Sequence, residues 1–135
     1  MALHALIRKI SPYTGPDLFL GLFSDVAKAG AAREAYLMRV STADPWSQQA
    51  YRKVDLGSDV RIVEISDFRG PADDSRVVFL VTAYLEDMGQ ISRWFLGVFS
   101  ERLAAAEFAA REEARPIDVA PSRCEVDEVV LDLAR

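Results

Sequence analysis

Phe19-Leu20-Gly21-Leu22-Phe23-Ser24-Asp25 reappears as Phe95-Leu96-Gly97-Val98-Phe99-Ser100-Glu101, at an offset of 76 residues. The surroundings repeat as well. Each copy is preceded by an apolar strand candidate, residues 3–10 and 77–84, across turn-forming residues at 11–17 and 86–90. Each is followed by a small-residue helix, 25–39 and 101–115, and then by a strand ending in aspartate, 60–67 and 125–132. The same four elements in the same order predict an α+β fold: a tandem duplication of a ββαβ unit, with one main helix per unit and mixed sheets related by a pseudo-two-fold axis. Residues 1–69 form the first unit, with an insertion at 40–58, and 76–135 the second. At 135 residues the two make a single domain.

The second strand of each unit constrains the packing most. Phe19, Gly21 and Phe23 alternate with Leu20 and Leu22, so both faces are apolar and neither should meet water. A helix can cover one face; the other needs the second unit's sheet or a second subunit. One six-stranded sheet and two packed three-stranded sheets both satisfy this. Gly21 and Gly97 weaken a strand, which marks a bulge or a close backbone approach. Ser24 and Ser100 are expected as helix N-caps. Val26, Ala29, Ala32 and Tyr36 are expected to face the sheet from the first helix, and Leu103, Ala106, Ala110 and Ala114 from the second.

The units differ in two places. The insertion carries Asp44-Pro45, a helix start signal, followed by Trp46, Tyr51 and Arg52, residue types enriched at binding hot spots. The second hairpin sets Glu86 and Asp87 beside Arg93 and Trp94, a polar rim around an aromatic anchor. Trp46, Tyr51, Arg52, Glu86, Asp87 and Trp94 are therefore the candidate partner-binding residues. The competing reading of each aromatic is core or sheet-edge cover.

Composition excludes several classes. Half the residues are hydrophobic and 27% charged, an ordinary globular mix rather than a disordered one. No apolar run approaches the ~20 residues that span a bilayer. Arg8 and Lys9 follow a short apolar stretch, the reverse of signal-peptide order, so a cytoplasmic location is expected. The excess of arginine over lysine fits a GC-rich bacterial gene. The net charge of −5 divides into +1 for residues 1–69 and −6 for 70–135. Such an acidic half disfavours nucleic acid and favours a basic protein partner.

Catalytic signatures are missing. His4 is the sole histidine and Cys124 the sole cysteine, so neither an intrachain disulfide nor a cysteine-based zinc site can form. Arg123 beside Cys124 could lower the thiol pKa; an inert, half-buried thiol is the competing expectation. The acidic pairs lack calcium-loop spacing, and the seven glycines form no phosphate-binding loop. No catalytic residue, metal ligand or cofactor is nominated.

Gly97-Val98-Phe99-Ser100, Ala104 to Ala106 and Val130-Leu131-Asp132 resemble a small bacterial domain family of unknown function, with a strand, a Gly-x-Phe-Ser junction and an Ala-rich helix. Gly21 to Ser24 with Ile65 to Asp67 match it more loosely. The resemblance implies the fold and no activity. Three functions are open at this point. The first is a non-enzymatic acidic protein-binding module, comparable to bacterial immunity or antitoxin proteins. The second is a small-molecule-binding or enzymatic domain with a cleft between repeats, drawing on Tyr13, Tyr84, His4 or Arg93. The third is a structural homodimer.

Overall fold

The computed structural model describes residues 2–10, 16–43, 59–65, 68–69, 76–115, 121 and 123–134. The elements in chain order are β1 (Leu3–Arg8), β2 (Leu18–Phe23), α1 (Val26–Ala43), β3 (Val60–Ile65), β4 (Phe68–Arg69), β5 (Val77–Asp87), β6 (Gln90–Phe99), α2 (Arg102–Glu113) and β7 (Arg123–Val130). The fold is α+β. One sheet has the order β2-β1-β3 and is antiparallel; the other has the order β4-β6-β5-β7, antiparallel except for the short parallel pairing of β4 with β6.

The two hairpins share a register irregularity. Ala5 lies opposite Leu22 and Leu6 opposite Gly21, after which the ladder shifts and Ile7 faces Phe19. In the second sheet Leu80 lies opposite Val98 and Val81 opposite Gly97, and then Thr82 faces Phe95. Leu20 and Leu96 are thereby left as the extra residue of a bulge beside each glycine. Gly21 has φ +152°, and a Cβ there would meet the Phe23 ring at 3.0 Å and the Leu133 carbonyl oxygen at 3.1 Å. Only glycine combines that backbone with so close an approach.

Both faces of the central strands are covered. Leu3, Ala5, Leu22 and Ile65 of the first sheet meet Val78, Leu80, Val98 and Val129 of the second in one buried cluster. Phe19 and Phe95 pack against it and contact each other edge to face, with centroids 6.0 Å apart and planes at 66°. On the outer faces α1 covers Leu6, Leu20, Phe23 and Val60 with Ala29. The α2 helix covers Val81 and Phe99 with Ala105 and Ala109. The order of layers is helix, sheet, sheet, helix. Two packed sheets, not one continuous sheet, are what the apolar strands require. At about 1.5–3 kcal/mol for each buried leucine or valine side chain, the inter-sheet cluster is a dominant stabilising term.

Several local expectations are corrected. The α1 N-cap is Asp25, not Ser24: its Oδ1 accepts from the Lys28 N–H at 2.8 Å. At α2 the N-cap position is Glu101 and not Ser100, and it makes no side-chain cap hydrogen bond. The α2 stripe is rotated from the expected one. Ala105 and Ala109 are buried with Phe108 against the sheet, whereas Leu103 is 70% exposed and Ala106, Ala110 and Ala114 also face solvent. An alanine-rich helix has so shallow a hydrophobic contrast that its sequence does not specify the buried side. The turn at 86–90 tightens to Met88-Gly89 at positive φ, so Glu86, Asp87 and Gln90 belong to the strands. The last strand stops at Val130, and Asp132 lies in the turn beyond it. The 44–58 part of the insertion and Asp67 lie outside the described residues.

Gly21→Ala is expected to lower stability by about 2 kcal/mol or more, because left-handed strain and overpacking add. Urea denaturation followed by far-UV circular dichroism measures it, and an unchanged midpoint would contradict this account of the bulge.

Candidate binding site

Two features stand apart from the core: a polar clasp between the chain's end and α1, and a cleft between the sheets. The clasp forms where the chain leaves β7. The Leu131 N–H donates to the Arg76 carbonyl at 2.6 Å and the Asp132 N–H to the Leu22 carbonyl at 2.8 Å, carrying the chain from the second sheet to the first. Asp132 sits at φ 63°, a left-handed conformation that aspartate tolerates better than most residues. Its carboxylate accepts from the Ser24 N–H at 2.8 Å and from the Ser24 hydroxyl at 2.9 Å, and pairs with Lys28 Nζ at 3.2 Å and the Arg76 guanidinium at 3.4 Å. Burial by itself would raise the Asp132 pKa; the Ser24 hydrogen bonds and the Lys28 ammonium outweigh it and hold the carboxyl below its ordinary value. A serine, a lysine and an aspartate in contact invite a nucleophilic reading. A carboxylate so stabilised is a weak base, and the same carboxylate keeps the Lys28 ammonium paired, so this arrangement ties segments together.

The cleft lies where β3 and β6 diverge along the margin of the two sheets. It has a volume of about 330 Å³ and is lined by Ile7, Val63 and Ile65 from the first sheet and by Arg93, Trp94 and Phe95 from the second, with Glu64 and Leu96 at its margins. Strand alternation turns Ile7, Val63 and Ile65 inward and Glu64 outward. The Arg93 guanidinium lies 5.5 Å from the Phe95 ring centroid, and its Nη2 is buried with no hydrogen-bond partner. Tyr84, opposite Arg93 in the ladder, is buried, with the Arg123 guanidinium 4.3 Å from its ring centroid. Burial raises the Tyr84 pKa; Arg93 opposes the shift and Glu125 adds to it.

Of the expected site residues, Trp46, Tyr51 and Arg52 lie outside the described residues, as does Tyr13. Glu86, Asp87 and Trp94 lie on the β5–β6 hairpin, where Trp94 is 40% exposed at the mouth of the cleft. The hairpin brings Glu86 to Arg123, whose guanidinium donates to Glu86 Oε1 at 2.9 Å and to Glu125 Oε1 at 3.4 Å. His4 is half-buried on β1, away from the cleft lining. Cys124 is the half-buried thiol that the sequence reading favoured over activation by Arg123. Burial pushes the thiol pKa up, and Glu113 and Glu112 push it further. Among the described residues no cluster of histidine, cysteine, aspartate or glutamate could hold a metal ion, and no helix is long and apolar enough to cross a membrane. Sequence reasoning missed the clasp, since Ser24 and Asp132 are 108 residues apart.

The clasp makes a pH prediction. The folded pKa of Asp132 lies below the unfolded one, so its stabilisation is complete above the ordinary aspartate range and is lost as pH falls through the folded value. Asp132→Asn should cost about 1–3 kcal/mol at pH 7, and the gap to wild type should close in strong acid. Urea titrations of both proteins across that range measure it; a gap independent of pH would contradict the assignment. No family model, curated protein or solved structure matches the chain.

Proposed function

We propose that the chain is a tandem duplication of one ββαβ unit, and that it acts as a non-enzymatic protein-binding module in the manner of bacterial immunity or antitoxin proteins. Support for the duplication comes from matched registers, from a bulge at the same place in both hairpins, and from the pairing of like positions across the core. Support for the binding role comes from the place where the units differ. Strands β5 and β6 have 11 and 10 residues, against 6 each for β1 and β2, so the second hairpin overhangs the first sheet.

The overhang carries the observation on which the reading rests. Leu85 is 40%, Met88 90% and Trp94 40% exposed, and they stand beside the acidic Glu86 and Asp87. An apolar centre with an anionic rim suits a basic protein surface. The neighbouring edge strand β7 is blunted for strand addition, because Glu113 Oε1 accepts the Cys124 N–H at 2.9 Å. Recognition then falls to side chains.

Two experiments test these readings. Tagged protein incubated with lysate of the source organism should retain a partner at low salt and release it at high salt. Met88→Asp with Trp94→Ala should weaken that complex about 30-fold or more, as loss of a hot spot does, while the melting temperature is kept. Equal capture by wild type and variant would refute the hairpin as the binding surface. For the duplication, a circular permutant beginning at residue 76, with 135 joined to 1 by a linker of about four residues, should melt within a few degrees of wild type. Failure of the permutant to fold would count against equivalent units.

A further inference from the structure

We infer that the β3–β6 cleft is a binding site for a small apolar carboxylate, with Arg93 as its anion-binding group. The cleft, at about 330 Å³, is of the size that holds small ligands. Its inner wall is Ile7, Val63, Ile65 and Phe95, which suits a hydrocarbon or aryl tail. Arg93 lines the same wall, yet Nη2 is buried without an acceptor, and no ion pair involves this guanidinium among the described residues. Arg93 as a whole is half-buried and lines the cleft, and a carboxylate matches the planar fork of its guanidinium. The Phe95 ring lies against the guanidinium, with its centroid 5.5 Å away.

The corresponding fork of the other strand pair shows that the fold does not impose this chemistry. By ladder position Ile7 corresponds to Thr82, Val63 to Asp127 and Glu64 to Glu128. Leu18 corresponds to Trp94, which sets Asp17 at the position of Arg93. One fork is acidic; the other is apolar with a cation. Glu64, exposed and turned to the outer side of β3, disfavours a second negative charge at the mouth and so selects monocarboxylates over dicarboxylates.

This site shares Trp94 with the hairpin surface, but its apolar wall and Arg93 play no part in the protein-binding reading. Its test is a titration of the intact ¹⁵N-labelled chain with hexanoate and phenylacetate, using phenylacetamide and succinate as controls. Both monocarboxylates should shift the Trp94 indole and the amides of Val63 to Ile65, saturating at about 1 mM or below. Phenylacetamide and succinate should bind about tenfold more weakly or not at all. Arg93→Gln should weaken phenylacetate about tenfold while Arg93→Lys retains part of the affinity, and Met88→Asp should leave it unchanged. Should Arg93→Gln unfold the chain, Val63→Phe, which fills the apolar wall, must abolish binding. Equal binding of amide and acid, unchanged binding in Arg93→Gln, or no shift with either monocarboxylate at 10-fold excess over that concentration overturns the proposal.

Discussion

The structure depends on one constraint: β2 and β6 are apolar on both faces, and each must be shielded from water twice. A helix supplies one cover and the opposite sheet the other. The edge-to-face contact between Phe19 and Phe95 packs against the buried cluster that forms the second cover. Neither sheet can expose its inner face without losing burial worth several kcal/mol, so each sheet's stability is contingent on the other. This mutual dependence explains why the inner faces of the two sheets share one buried cluster.

The segments that join the sheets reinforce the same arrangement. After β3 the chain passes to β4, which pairs with β6 in the other sheet. After β7 it returns, through the Asp132 N–H on the Leu22 carbonyl, to the first. Strands β3 and β7 therefore each feed their continuation to the other sheet. The charge of Asp132 is held there by Ser24 and Lys28 from the start of α1, so the clasp fixes the first helix, the first sheet and the chain's end at one point. A carboxylate that accepts from four donor groups in this way has a structural role.

The proposed binding roles fall where the two sheets cease to correspond. The shared core leaves little latitude, because a change on one inner face must be accommodated by the other. The overhanging hairpin and the margin between β3 and β6 are free of that constraint. There the β1–β2 strands end early while β5 and β6 continue, and a fork that is acidic on one side is apolar and basic on the other.

The sequence by itself determined the main strands and helices and their order, though not the short β4, since the period of apolar residues along each element follows from backbone geometry that is local. It also carried the two-faced burial of Phe19 to Phe23, because alternation assigns faces without reference to the rest of the chain. It placed Glu86, Asp87 and Trp94 on the second hairpin for the same reason. What only the tertiary structure decided was the choice of two packed sheets, the side on which α2 is buried, and the partners of Ser24, Asp132 and Arg93. Ala105 and Ala110 are the same residue type, and only the sheet beneath one of them distinguishes it. Ser24 could cap a helix or bind Asp132, and the selection rests on a crossing made 108 residues away. The cleft beside Arg93 exists because two strands from different sheets diverge, and a divergence between distant strands leaves no local pattern to read.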